Sequence, residues 1–205
     1  MAAEWILQGY AYDAAELAAF VGSKNTKLAK KIARAAKDLH DDDRLDLPLD
    51  EIVVEIAEKK LSRAHATSYR IALEAIMNEL GERLDKRLTT YGLKERLAEV
   101  LAALGQKTLA AAWKKPAVTF PASALARDVH WPMAMSFDAR AVAKAAAEAR
   151  TLPKRAELEA RTAKAMKGDE DFVGDTVDVV AALARIVTKA AAKKRALMVL
   201  IDGEQ

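Results

Sequence analysis

The chain has 205 residues with 33 Lys and Arg against 30 Asp and Glu, a formal net charge of +3, and no cysteine. Disulfides and thiolate chemistry are therefore excluded, and so near a balance of charge does not by itself point to nucleic acid. Hydrophobic residues make up 52% and aromatic residues only 5%, with alanine prominent, which favours helix because alanine loses no side-chain entropy there.

The chain opens on Met1-Ala2-Ala3-Glu4-Trp5, with an acid and no basic stretch, so no secretory signal is visible. Trp5 to Tyr12 reads as a strand. Asp13, with Glu16 three residues later, forms a capping box that starts a short helix ending at Gly22. Ser23 to Leu39 reads as one helix with Leu28, Ile32, Ala36 and Leu39 on its apolar stripe. It is also the most basic segment, with Lys24, Lys27, Lys30, Lys31, Arg34 and Lys37 and no acid among them. The run His40-Asp41-Asp42-Asp43-Arg44-Leu45-Asp46 reads as a polar loop, and Pro48 suits the first turn of a helix that turns Ile52, Val53 and Ile56 inward.

Tyr69, Leu73, Ile76, Met77, Leu80 and Leu84 recur at helical spacing, which predicts the central core helix. Thr89 or Thr90 is expected to cap the next helix, striped by Leu93, Leu97, Val100, Leu101 and Leu104 and stopped by Gly105. A brief extension carries Leu109 and Trp113. From Pro116 to Pro132 three prolines, Phe120 and Trp131 predict an irregular segment lying on the core. Met133 to Phe137 reads as a third strand, Asp138 as the cap of a helix carrying Val142 and Ala146, and Pro153 as the opening of a weaker helix through Leu158 and Met166. The last helix shows Val173, Val177, Val180, Leu183 and Val187 on one face and ends at Lys193-Lys194-Arg195, whose cations suit a helix C-terminus. Leu197 to Ile201 then reads as a closing strand.

A lone strand leaves its backbone polar groups unpaired, so the two terminal strands are expected to pair with each other. The predicted fold class is α+β: one mostly helical domain over residues 1–205, with a small antiparallel sheet joining the N- and C-terminal strands. The longest apolar runs fall well short of the ~20 residues a membrane span needs, and a cytoplasmic location is the default expectation.

Motif chemistry is sparse. No Gly-x-Ser-x-Gly, Gly-x-Gly-x-x-Gly or phosphate loop occurs, the eight glycines are spread thinly, and no cofactor is expected. His40, His65 and His130 fall into no metal-ligand spacing, and the acidic loop at 41–46 lacks the alternating ligands and central glycine of a calcium loop, so no metal site is expected. His130 beside Trp131 is a candidate pocket lining, and an enzyme with a pocket there is one alternative. The basic helix at 24–37 is the best-defined charged feature, and Lys27, Lys30, Lys31 and Arg34 are the candidate binding residues. Such a helix suits an acidic protein or phosphates, although eight acids from Asp41 to Glu58 follow it and stand ready to neutralise it. No aromatic residue interleaves the lysines, so stacking on single strands is unsupported.

The order of segments carries a likeness. Gly9-Tyr10-Ala11-Tyr12-Asp13, Ser68-Tyr69-Arg70-Ile71-Ala72-Leu73-Glu74-Ala75-Ile76-Met77, Ser136-Phe137-Asp138-Ala139-Arg140 and the closing Leu197 to Asp202 together resemble a group of bacterial domains of unknown function. More distantly the chain is similar to the YfbM-like family. The resemblance implies an α+β fold, a bacterial cytoplasmic setting and no assigned activity. By analogy with other small proteins of this kind, it leads to the expectation of a non-enzymatic protein that binds another protein, an immunity protein neutralising a cognate toxin being one such case. Nucleic-acid association through the basic helix is the alternative.

Overall fold

The terminal strands pair from Trp5 to Tyr12 on one side and from Ala196 to Gly203 on the other. In the computed structural model, which describes residues 4–39, 43–91, 96–118, 133–167 and 170–203, β1 (Glu4–Tyr12) runs antiparallel to β5 (Ala196–Gly203), with Gly9 opposite Val199 and Ile6 opposite Asp202. The expected third strand, β4 (Met133–Phe137), flanks β5 on its other side, with Met135 opposite Val199.

Two strands had not been expected. β2 (Gly81–Arg83) and β3 (Leu88–Tyr91) both pair with the outer edge of β1, giving the order β2-β1-β5-β4 with β3 continuing the β2 side. Thr89 and Thr90 thus belong to a strand, opposite Ile6 and Trp5, and do not cap a helix. Between Tyr10↔Arg83 and Leu7↔Leu88, two residues of β1 face four of the other segment, so residues 84–87 bulge. The bulge sends Asp85 to one face of the sheet and Arg87 to the other. Asp85 meets Arg185 at 2.9 Å, and Arg185 holds its carboxyl below the usual range against the opposing effect of burial.

Side chains alternate across the sheet, and both faces are covered. Leu7, Met133, Met135, Phe137, Leu197, Val199 and Ile201 face one apolar core, while Tyr10, Tyr12, Ala134, Met198 and Leu200 face a second. Burial on both faces explains why β5 reads as an unbroken apolar run and not as an alternating one. The first core is closed by α5 (Leu97–Ala103), α6 (Lys107–Lys114), α7 (Ala139–Ala149), α8 (Arg155–Met166) and α9 (Val173–Ala192). The second is closed by α1 (Ala14–Phe20), α2 (Thr26–Ala35), α3 (Leu49–Glu58) and α4 (Ala66–Leu80). The fold is therefore a single mostly helical α+β domain built around one antiparallel sheet.

Several helix signals act as expected. Asp13 caps α1 by accepting from Ala15 N–H at 2.8 Å, and Asp138 caps α7 by accepting from Ala141 N–H at 2.7 Å. Gly105 ends the α5 segment at φ 78°. The expected helix over 23–39 is shorter than its stripe: α2 stops at Ala35, and a 3-10 turn follows over Lys37–Leu39. Leu84 lies outside α4, because the helix ends at Gly81, where the chain turns extended, and Leu84 is buried in the opposite core. Leu93 and residues 119–132 of the proline-containing segment lie outside the described residues.

α4 is the most enclosed element, buried without interruption from Ser68 to Met77. At its start Tyr69 donates to Glu55 Oε2 at 2.6 Å and accepts from Ser62 N–H at 2.8 Å, and His65 Nδ1 lies 3.0 Å from the same Glu55 oxygen. Burial, then the hydrogen bond to Glu55, pushes the Tyr69 phenol up to about 12. An unfolded tyrosine releases its proton near pH 10, while the folded one keeps it. The stability held by this phenol is thus complete below pH 10 and lost as pH rises from about 10 towards 12. Urea unfolding at pH 9, 10 and 11 should show a steeper alkaline loss of stability in the native chain than in Tyr69→Phe. The difference grows to on the order of 1 kcal/mol by pH 11, and identical slopes would refute the assignment.

Candidate interaction surface

The basic segment is anchored to the protein at the N-terminal end of α2. Asn25 caps it, its Oδ1 accepting from Leu28 N–H at 3.0 Å, and Ser23 Oγ accepts from Asn25 N–H at 3.1 Å. Before the cap, Gly22 N–H bonds Ile56 O at 3.3 Å and Lys24 N–H bonds Ala57 O at 2.9 Å, so the start of α2 is tied to the end of α3 and the two helices run antiparallel. Lys24 and Lys59, both at positive φ (56° and 57°), mark this junction. Ala29, Ile32, Ala33 and Ala36 are buried against the second core.

That packing forces the remaining positions outward. Lys27, Lys30, Lys31 and Arg34 are all exposed, one to two per turn along one ridge. Lys31 pairs with Glu79 of α4. Among the described residues no ion pair reaches Lys27, Lys30 or Arg34, nor Lys24 beside them. Three of the eight acids expected to neutralise this ridge have other partners: Asp46 bonds Ser68, Glu55 bonds Tyr69 and His65, and Glu58 bonds Lys60. Among the described residues the one counter-charge comes from Glu79, a residue that sequence spacing gave no reason to place there. Lys24 and Lys37 fall outside α2, so the helix itself carries four of the six cations read in the sequence.

Of the other candidates, His130 and Trp131 lie outside the described residues, as do His40, Asp41 and Asp42. Among the described residues no group of three or more His, Asp or Glu is placed to hold a metal ion.

A second polar cluster was missed in the sequence because its members lie far apart along the chain. Gln8 Nε2 donates to Glu74 Oε1 at 2.9 Å, and Arg87 Nη2 donates to the same oxygen at 2.6 Å. The Tyr10 hydroxyl lies 2.8 Å from Gln8 Oε1 and 2.9 Å from Asn78 Oδ1, and Arg83 Nη2 donates to it at 3.2 Å. Burial first, then the Glu74 charge, raises the Tyr10 phenol above its ordinary value. Nearby on the same sheet face, Arg44 forks onto Asp202 with both contacts at 2.7 Å. Each carboxylate of this cluster meets a guanidinium, and each donor named in it has an acceptor. The cluster thus sews α4 to β1 and to the bulge, a structural role for buried polar groups.

A family model described as a domain of unknown function matches residues 5–192. The chain belongs to the DUF7691 family. The DUF7691 match covers β1 through α9, so all nine helices and four of the five strands described above belong to it. It carries no link to the YfbM-like family or to a bacterial origin. No curated protein matches the chain. No solved structure matches it. No helix among the described residues is long and apolar enough to cross a membrane.

Proposed function

We propose that this DUF7691 chain is a protein-binding protein that uses the outward ridge of α2 to hold an acidic surface of another protein. One observation carries the reading: Lys27, Lys30 and Arg34 stand exposed on a helix anchored at its N-terminal end and packed on the second core, without an acidic counterpart among the described residues. Cations held in place but left unpaired raise the encounter rate with an acidic surface and fix its register. A toxin whose basic-substrate site is acidic would be one such surface, which keeps the immunity role within the proposal. A bacterial cytoplasmic setting belongs to the same reading.

The test is affinity capture at 50 and 500 mM NaCl with the native chain and with Lys27→Glu/Lys30→Glu/Arg34→Glu side by side. A protein retained at low salt by the native chain and lost by the variant, with unchanged melting, supports the proposal. Equal retention by both removes it. Duplex and single-stranded probes run in parallel separate the phosphate-binding alternative, since a basic ridge on phosphates loses affinity steeply with salt.

A further inference from the structure

We infer that α2 and α3 together form a self-complementary face on which a second copy of this chain docks about a two-fold axis. The inference rests on the association reading above and names one partner for it. α2 carries Lys27, Lys30, Lys31 and Arg34 and no acid, while α3, packed beside it, carries Asp50, Glu51, Glu55 and Glu58 and no base. Two adjacent helices of opposite charge would be expected to lace together. Yet among the described residues no ion pair joins them: Lys31 turns to α4, Glu55 to Tyr69 and Glu58 to Lys60. Lys30 and Arg34 on one ridge, and Asp50 and Glu51 on the other, are left without ion-pair partners among the described residues.

Geometry decides which partner fits. A two-fold contact must bring one patch onto a copy of itself, so each charge has to meet its opposite under the rotation. With the axis parallel to the helices and between them, α2 of one copy lies over α3 of the other. Because α2 and α3 run antiparallel, the C-terminal end of α2 is level with the N-terminal end of α3. Lys30 and Arg34 then face Asp50 and Glu51 of the other copy, and the same contact repeats on the other side of the axis. Both helices rest on α4, so both outward ridges point away from the sheet and can be covered together. An acidic foreign partner and the second copy compete for this face.

The experiment is sedimentation velocity of the full chain over a range of micromolar concentrations at 50 and 500 mM NaCl. The native chain should form a dimer at low salt and return to the 22.3 kDa monomer at high salt. Lys30→Glu/Arg34→Glu alone should be monomeric, and Asp50→Lys/Glu51→Lys alone should be monomeric. An equimolar mixture of the two should dimerise again, because each reversed ridge then meets its opposite at both contacts. Recovery in the mixture also shows that both variants are folded. A native chain that stays monomeric at low salt, or a dimer that survives either reversal, overturns the inference. If the chain is monomeric while an acidic partner is still lost by the α2 reversal, the function proposed above stands and the second copy is not its partner.

Discussion

Leu73→Ala should lower the unfolding free energy by ~2–5 kcal/mol, the range for truncating a buried leucine where the surroundings cannot fully collapse. Leu73 has no exposed surface and sits mid-way along α4, between the sheet and the layer formed by α2 and α3. Tyr69, Ile76 and Met77 line the same core and are fully buried, so no neighbour is free to swing into the vacancy without leaving its own contacts. Urea unfolding of the native chain and the variant measures the loss directly. A loss below ~0.5 kcal/mol would mean that α4 is not the inner helix of this face.

Gly9→Ala should also destabilise, by ~1–3 kcal/mol, and for the opposite reason. A methyl group at position 9 would sit 2.4 Å from Ile186 Cγ2 and 3.0 Å from its Cδ1. Cγ2 branches next to the backbone of α9, so relief requires the helix to lift off the sheet and not a mere rotation of a side-chain tip. In solution, alanine for glycine gains about 0.4–1 kcal/mol by restricting the unfolded chain, a gain too small to offset the clash. The same substitution in an Ile186→Ala background removes the obstacle, and there Gly9→Ala should become neutral or stabilising. This reversal of sign, read by a double-mutant cycle, places α9 directly over β1. Additive costs would contradict that placement.

The two positions show where sequence reading works and where it stops. The stripe through Tyr69, Leu73, Ile76 and Met77 is a local periodicity, and the helix forms where the pattern puts it. Terminal pairing was legible for a related reason: two isolated apolar runs in a helical chain have few other ways to satisfy their backbones. Gly9, by contrast, stands in a strand where nothing nearby in sequence shows that a helix from residue 173 onward crosses it. β2 and β3 were missed because the four-residue spacing from Leu80 to Leu84 continues the helical stripe past its end. Leu88-Thr89-Thr90-Tyr91 did carry a strand signal in its β-branched and aromatic residues, but Thr89 and Thr90 also suit a helix cap. The Gln8–Glu74–Arg87 cluster was invisible for a plainer reason, since its partners are set 66 and 13 residues apart and are joined only by the fold.

The candidate surface was legible in part. The basic residues of α2 were evident, and so was their placement opposite Leu28 and Ile32. Whether the following acids neutralise them depends on side-chain direction across two helices, which spacing along the chain does not encode. Asp46, Glu55 and Glu58 bond elsewhere, Asp50 and Glu51 form no ion pair with α2, and among the described residues no acid reaches Lys27, Lys30 or Arg34.

The most direct test of that claim is the capture experiment with the native chain and the Lys27→Glu/Lys30→Glu/Arg34→Glu variant at two salt concentrations. The account predicts a protein held at 50 mM NaCl by the native chain alone and released at 500 mM. Retention of the same protein by the charge-reversed variant, with salt-independent yield, would contradict it.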